Sequence, residues 1–300
     1  MDETRYYQPS GAVPILGLVL GSAVAIFLAT ICGFVFGVVE FYNPIIYVNF
    51  LGAFFVPAMV GNAVRSTLIK LKVRNWTFSM LLGLLTATAI LYSAWWAYVV
   101  AVVKWELLSP DPTFLWGIIG LISDNGVWSI KRYTPTGVVL WILWAIEAGA
   151  IYFFTMMSVL DTPPPFCEDC DQVTTQKIAP HPFSMKDSLQ MRDELEDGRA
   201  DLLLASVRDY PGANCFLRLT VNACPTCDES YFAVIETVTI TVDNEGKSSS
   251  SNTTTIPWIK VDAKIVAELE ALIALGYFTE KVADVSDDDD DSEDVAADDE

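Results

Sequence analysis

The chain has 300 residues, of which 52% are hydrophobic and 19% are charged, with a mean hydropathy of +0.38. This is too apolar for two ordinary soluble domains, so part of the chain is predicted to lie in lipid. The charge is one-sided, because residues 1–160 have a net charge of +1 and residues 161–300 a net charge of −21. A second half this acidic, without a basic stripe, argues against nucleic acid as a partner.

Four apolar stretches predict an α-helical membrane bundle of four transmembrane helices in residues 1–160. A hydrocarbon core of roughly 30 Å needs about 20 helical residues, and each stretch is long enough. The first stretch is too long for a cleaved signal peptide and is expected to stay as an anchor in membrane lipid. The predicted spans are approximately 13–39, 45–64, 77–103 and 137–160.

The connections between the spans predict the orientation. Residues 65–76 contain four bases and no acid, whereas residues 40–44 contain no base. Because cytoplasmic loops retain Lys and Arg, residues 65–76 are placed inside. Four crossings then put both termini in the cytoplasm, in a multi-pass protein of the inner (plasma) membrane. Residues 104–136 are placed outside, with a short interfacial helix over 114–122.

The first span contains two glycine pairs, Gly17 with Gly21 and Gly33 with Gly37. Paired glycines one turn apart let helices approach closely in lipid. At about 100° per residue, the 16 positions between the pairs turn the helix by roughly 160°. The pairs are therefore expected to pack against different neighbours within the bundle; a specific contact in a homo-oligomer is the alternative.

Glu147 is the one acidic residue predicted inside a span. A charge there costs about 2.5–3.5 kcal/mol or more, and no base is available at that depth. One interpretation is a neutral carboxyl in an interhelical hydrogen bond; the other is a proton- or cation-linked site. The candidate hydrogen-bond partners are Asn49, Asn62, Ser22 and Thr30.

Residues 161–166 form a Pro-rich linker, followed by two Cys-x-x-Cys motifs. The motifs are Cys167-Glu-Asp-Cys170 and, after 53 intervening residues, Cys224-Pro-Thr-Cys227. Two such pairs are the usual half-sites of tetrahedral four-thiolate zinc, so a structural zinc ion is predicted. The spacing exceeds the roughly 15–20 residues of a compact zinc ribbon, which implies an insertion.

The hydrophobic patterns in residues 167–280 predict a small α+β zinc-ribbon-like cytoplasmic domain. Residues 243–246 and the serine run Ser248–Ser251 are expected to form a turn, and the acidic residues 281–300 a disordered tail. The predicted elements are a helix over 184–207 interrupted at Gly198, strands over 215–222, 231–242 and 253–261, and an amphipathic helix over 262–276.

Two other interpretations of the thiols are open. A redox pair usually has its first Cys at a helix N-terminus, but Cys227 leads into a β-branched, aromatic segment. Disulfides are possible in principle, although the inferred cytoplasmic side is reducing. Cys32 and Cys215 lie outside the motifs, and His181, between two prolines, is predicted as a loop residue rather than a ligand.

The stretch Gly126-Val-Trp128 through Gly137-x-x-Leu140-Trp-x-x-Trp144-x-Ile-Glu147, followed by Pro165-Phe-Cys167-Glu-Asp-Cys170, resembles a group of uncharacterised bacterial multi-pass membrane proteins. Those proteins end in a cytoplasmic Cys-x-x-Cys module. The resemblance implies the architecture described above and carries no activity.

No motif for enzyme chemistry accompanies these features. The chain lacks a Gly-rich phosphate loop and Gly-x-Ser-x-Gly, and it has a single histidine. We therefore predict a non-enzymatic binding or assembly component of a membrane complex, with other protein subunits or further copies of itself as partners. The alternatives are an oligomeric channel or proton-coupled carrier that uses Glu147, and a membrane-bound thiol redox protein.

Overall fold

The computed structural model describes residues 5–43, 45–126, 134–161, 163–185, 187–209, 211, 214–227, 229–242 and 247–276. These residues belong to two compact units, a helical unit within Gln8–Val173 and a sheet unit formed by the N-terminal residues up to Tyr7 together with the chain from Thr174 onward. The predicted acidic tail, 281–300, lies outside the described residues, as does Trp128.

The helical unit confirms the prediction of four membrane-length helices. All four are long and apolar enough to cross a membrane. They are α1 (Ile15–Tyr42), α2 (Ile46–Lys70), α3 (Trp76–Val102) and α5 (Gly137–Val159).

A shorter helix, α4 (Pro112–Asn125), lies where the interfacial helix is predicted. Its N-terminus is capped by Asp111, whose side chain accepts a hydrogen bond from the Thr113 N–H at 2.8 Å. The hydrogen bond from the Thr113 hydroxyl, followed by the one from the Thr113 N–H, lowers the pKa of Asp111 below its usual range. Pro112 at the first position lacks an N–H and has the right φ to begin a helix.

The helix α1 extends further than its predicted span. It continues to Tyr42, so Glu40 belongs to a membrane-length helix, and the expectation that Glu147 is the one acid in these helices is wrong. The helix ends because Asn43 precedes a proline, which disfavours helical geometry at Asn43; its ψ is 117°.

Small residues line the buried face of α1, and they let neighbouring helices approach. Gly17 faces Val73 of the α2–α3 connection, and Gly21 faces Leu68 near the end of α2. Gly33 and Gly37 instead lie against backbone atoms of α3, where an added Cβ would stand 2.5 Å and 2.1 Å from carbonyl oxygens. Both glycine pairs therefore pack within the bundle, each against a different element, as the rotation between them requires. The buried small residues of α1 are Gly17, Gly21, Ala25, Ala29, Gly33 and Gly37.

The helical unit ends in a short hairpin of two-residue strands, β1 (Phe166–Cys167) and β2 (Gln172–Val173). Phe166 pairs with Val173, and Cys167 with Gln172.

The sheet unit contains a four-stranded antiparallel sheet in the order β3-β4-β5-β6, which confirms a small antiparallel domain after the helices. One face packs against helices, and the core includes Phe183, Leu203, Leu219, Ile235 and Leu269. The strands are β3 (Thr175–Phe183), β4 (Cys215–Ala223), β5 (Tyr231–Val242) and β6 (Ser248–Val261); the helices are α6 (Ser188–Glu196), α7 (Asp201–Ser206) and α8 (Ala263–Ala274).

The break between α6 and α7 occurs where the sequence predicts it. Gly198 has a φ of +79°, a conformation that L side chains rarely adopt. The buried Glu194 carboxylate then accepts a hydrogen bond from the Leu202 N–H at 2.9 Å, near the start of α7. It satisfies one of the free N–H groups of that helix end.

The serine run was expected to form a turn, and this expectation is wrong. Ser248–Ser251 is the first part of β6 and pairs with Thr239–Val242 of β5. Hydroxyls join across the pair, with Thr241 Oγ1 2.8 Å from Ser249 Oγ. Pairing with β5 gives these serines the backbone hydrogen bonds of a strand. The low β-propensity of serine does not predict a strand here from the sequence alone.

The strand β3 was not predicted at all. It contains Pro180 and Pro182, which cannot donate to a sheet ladder and are tolerated here because β3 is an outer strand with register irregularities. His181 lies in this strand rather than in a loop, and its Nε2 is 2.9 Å from the Val207 carbonyl oxygen.

The N-terminal segment forms a further edge on β6. Tyr6 bridges to Ile259, the Tyr7 N–H donates to the Trp258 carbonyl at 2.8 Å, and the Lys260 N–H donates to the Arg5 carbonyl at 2.8 Å. The first residues that the structure describes thus belong to the same unit as β6.

Candidate metal centre

The first Cys-x-x-Cys motif occupies the turn of the β1–β2 hairpin. Cys167 is the last residue of β1 and is buried, whereas Cys170 in the turn is partly exposed. The turn closes at Asp171, which has a φ of +51°. A tight hairpin turn is the geometry that directs two sulfurs of a Cys-x-x-Cys motif toward one point.

The second motif occupies the connection between β4 and β5. The strands separate after the pair Ala223–Tyr231, and the Cys224 N–H donates to the Ser230 carbonyl at 3.0 Å. The Thr226 N–H points at Cys224 Sγ at 3.4 Å. Such a backbone donor stabilises negative charge on a sulfur, and metal-bound thiolates need this kind of support.

The two motifs meet. The Sγ atoms of Cys167, Cys170, Cys224 and Cys227 all lie within 4.8 Å of one another. A tetrahedral Zn²⁺ with Zn–S bonds of about 2.3 Å places its sulfurs about 3.8 Å apart, so small side-chain adjustments are enough to ligate an ion. The four cysteines thus form a cluster that can hold a metal.

Basic residues of the α2–α3 connection surround the first motif. The Arg74 guanidinium lies 4.1 Å from the centre of the Phe166 ring and pairs with Glu168. Lys72 Nζ donates to both the carbonyl and a carboxylate oxygen of Asp171, at 2.7 Å and 2.6 Å. The Lys72 hydrogen bond holds the pKa of Asp171 below its usual range, and the nearby charges of Lys72 and Arg74 act in the same direction.

This environment fits a four-thiolate metal. Zn²⁺ with four thiolates carries a net charge of −2, and the two bases lie beside the turn that would hold it. The Nε of Arg74 is also buried without a hydrogen-bond partner among the described residues. A buried donor left over beside a cysteine turn suits an anionic metal–sulfur centre better than neutral thiols.

The other predicted polar residues do not join the cluster. Cys32 packs beside the helical core, and Cys215 begins β4, with its sulfur 3.9 Å from Met185 Sδ. His181 is held in β3. A metal site with four cysteine ligands is complete without any of these three residues.

Glu147 lies midway along α5, without the hydrogen-bond partners that the sequence suggested. No described hydrogen bond joins its carboxyl to the four polar residues proposed as partners: Asn62 and Thr30 donate to carbonyls of their own helices, and Asn49 donates to the Glu40 carbonyl. Glu147 instead lines a cavity together with Glu40. The sequence signal for Glu40, an acid two residues before the end of an apolar helix, is easily assigned to a loop.

Comparison with known proteins gives no match: no family model, no curated protein and no solved structure resembles this chain significantly.

Proposed function

We propose that this chain is a four-span protein of the bacterial inner membrane that presents an acidic, zinc-stabilised domain to the cytoplasm. In this proposal the domain is zinc-ribbon-like, and it acts as a binding or assembly component of a membrane complex rather than as an enzyme. The observation that carries the proposal is the gathering of four cysteine sulfurs within 4.8 Å.

Zinc is the metal that this donor set favours. Four sulfur ligands in two short turns suit tetrahedral Zn²⁺, and a site closed by four thiolates has no open position for a water or substrate. The ion would therefore stabilise the fold and would not activate a reactant. This is why the proposed role is binding and not catalysis.

The cytoplasmic side is supported by the charge pattern. The end of α2 and the α2–α3 connection together carry four bases and no acid, and Arg65 pairs with Asp161, just after α5, at 3.1 Å. The end of the last span and this basic connection therefore belong on the same side of the membrane, which the positive-inside rule makes cytoplasmic. Thiols on that side stay reduced and available to a metal.

The thiol redox alternative has less support. Redox cysteine pairs usually gain reactivity from a helix N-terminus, whereas both motifs here lie in connections between strands. The gathering of two pairs into one group also fits shared ligation better than a single cycling pair.

Zinc analysis of the intact protein tests the proposal. Full-length protein purified in detergent should contain one zinc per chain, and Cys224→Ser should lose most of it because three thiolates bind more weakly and leave the site open. Cys215→Ser is the matched control, since it removes a thiol of the same domain that lies outside the cluster, and should retain full zinc. Wild-type protein without zinc, or equal zinc in both variants, would overturn the proposal.

A further inference from the structure

Two carboxyl groups face one cavity inside the helical unit. Glu40, near the end of α1, and Glu147, midway along α5, both line a cavity of about 20 Å³. Both residues are partly buried, and their carboxyl groups are close enough for their charges to interact. A volume of this size has room for about one water-sized species.

The walls of the cavity are aromatic and apolar. Trp95 and Tyr98 come from α3, Trp144 from α5 and Ile122 from α4. The rings of Trp95 and Trp144 pack edge to face, with their centres 4.8 Å apart. The titratable groups that face the cavity are therefore Glu40, Glu147 and Tyr98, and α4 adds none.

Neither carboxyl group has a counter-charge in the described protein. No Lys, Arg or His lines the cavity, and among the described residues no side chain donates a hydrogen bond to Glu40 or Glu147. A carboxylate at membrane depth is unfavourable, and two beside each other are more so because their charges repel. Among the described residues no positive charge offsets this cost, which makes the cavity a candidate site for a cation.

We propose that Glu40 and Glu147 form one intramembrane site for a single small monovalent cation, either H⁺ or a dehydrated alkali ion such as Na⁺. The two carboxylates offer four oxygens and the Tyr98 hydroxyl a fifth, close to the number that a small alkali ion needs without its water shell. The cavity size limits the occupant to one ion. This site is separate from the cysteine cluster and does not depend on zinc.

The test measures the thermal midpoint of the full-length, zinc-loaded protein in lipid nanodiscs, using tryptophan fluorescence. At pH 8.5, replacing N-methyl-D-glucamine chloride with NaCl at constant ionic strength should raise the midpoint by several degrees, because a ligand that binds only the folded state stabilises it. If the occupant is H⁺, lowering the pH to 6 without Na⁺ should raise the midpoint instead. The Na⁺ experiment and the pH experiment therefore distinguish an alkali ion from a proton as the occupant.

The variants test whether the two glutamates share one site. Glu40→Gln and Glu147→Gln should each abolish the response, and the double variant should respond no differently from either. Glu106→Gln, at an exposed glutamate after α3, should keep the full response. A response that survives in either single variant would overturn the proposal.

Direct ion binding to the wild type keeps the proposal testable if a variant does not fold. Sodium-23 relaxation of the wild-type protein should then show saturable binding that protons displace. Absence of any dependence of the wild type on Na⁺ or on pH in this range would overturn the proposal.

Discussion

The bases that predict the inner side of the membrane also contact the first cysteine turn. The positive-inside rule counts Lys and Arg only for their charge and predicts no contact partner for them. Here Lys72 bonds Asp171, and Arg74 contacts both Glu168 and the Phe166 ring. The same side chains can therefore support orientation and metal binding.

We predict that Arg74→Gln weakens zinc binding about tenfold, or about 1.4 kcal/mol, because loss of a partner beside a metal site typically lowers affinity by one to two orders of magnitude. Competition with a chromophoric chelator on the full-length protein measures this change. Lys70→Gln is the control, since Lys70 is an exposed base at the end of α2, close in sequence to Arg74. Equal affinities for the Arg74 variant and wild type would mean that Arg74 supports the helices only.

At the scale of elements, the N-terminal segment is bridged to β6 through Tyr6 and Ile259, and polar side-chain contacts hold it to α6. The Tyr6 hydroxyl donates to Glu196 at 2.5 Å, and Arg192 Nε donates to both groups at 3.0 Å. The Tyr6 hydrogen bond, followed by that of Arg192, lowers the pKa of Glu196. The three hydrogen bonds among Tyr6, Arg192 and Glu196 are therefore all present while Glu196 is ionised.

These hydrogen bonds predict that the stability of the N-terminal segment depends on pH with a definite sign. Because the folded-state pKa of Glu196 is lowered, its stabilising contribution is full above the usual glutamate pKa of about 4.3 and is lost as the pH falls through the lowered value. Hydrogen exchange of residues 5–7 and 258–260, corrected for intrinsic rates, should show that protection decrease. Tyr6→Phe should reduce protection already at neutral pH, whereas Glu268→Gln, in an exposed ion pair of α8, should not.

The elements that the sequence predicts well are those with strong local patterns. The bounds of β5 match the prediction at both ends, and the helix break falls at Gly198, because alternation and a glycine are local signals. The strand β3 and the pairing of Ser248–Ser251 depend on neighbouring strands, which supply hydrogen bonds to prolines and serines of low β-propensity.

The residues of the candidate sites also divide into those with a local sequence signal and those without one. The four cysteines are predictable because two Cys-x-x-Cys motifs in one chain are a local sequence signature of a four-thiolate metal site. Arg74 and Glu40 are not, since their roles come from contacts with residues about 90 and 107 positions away along the chain. Glu40 also lies outside the predicted first span, which ends at residue 39, three residues before the end of α1.

At the scale of the whole molecule, three sets of contacts agree about sidedness. Arg5–Tyr7 pair with β6, the Arg74 N–H donates to the Ala12 carbonyl at 2.9 Å, and Arg65 pairs with Asp161. The N-terminus, the α2–α3 connection and the chain after α5 are thus expected on one side, as four crossings require. Which side this is decides the chemistry of the thiols, because a reducing compartment favours zinc and an oxidising one favours disulfides.

Labelling of single introduced cysteines in intact cells with a membrane-impermeant maleimide tests this central claim most directly. Glu106→Cys, in the connection after α3, should be labelled in intact cells, and Lys70→Cys should be labelled only after permeabilisation, each compared with the wild-type background. This result would place the four clustered cysteines in the cytoplasm, where they can hold zinc. Labelling of Lys70→Cys but not of Glu106→Cys in intact cells would contradict the account, because it would put the cysteine cluster in an oxidising compartment.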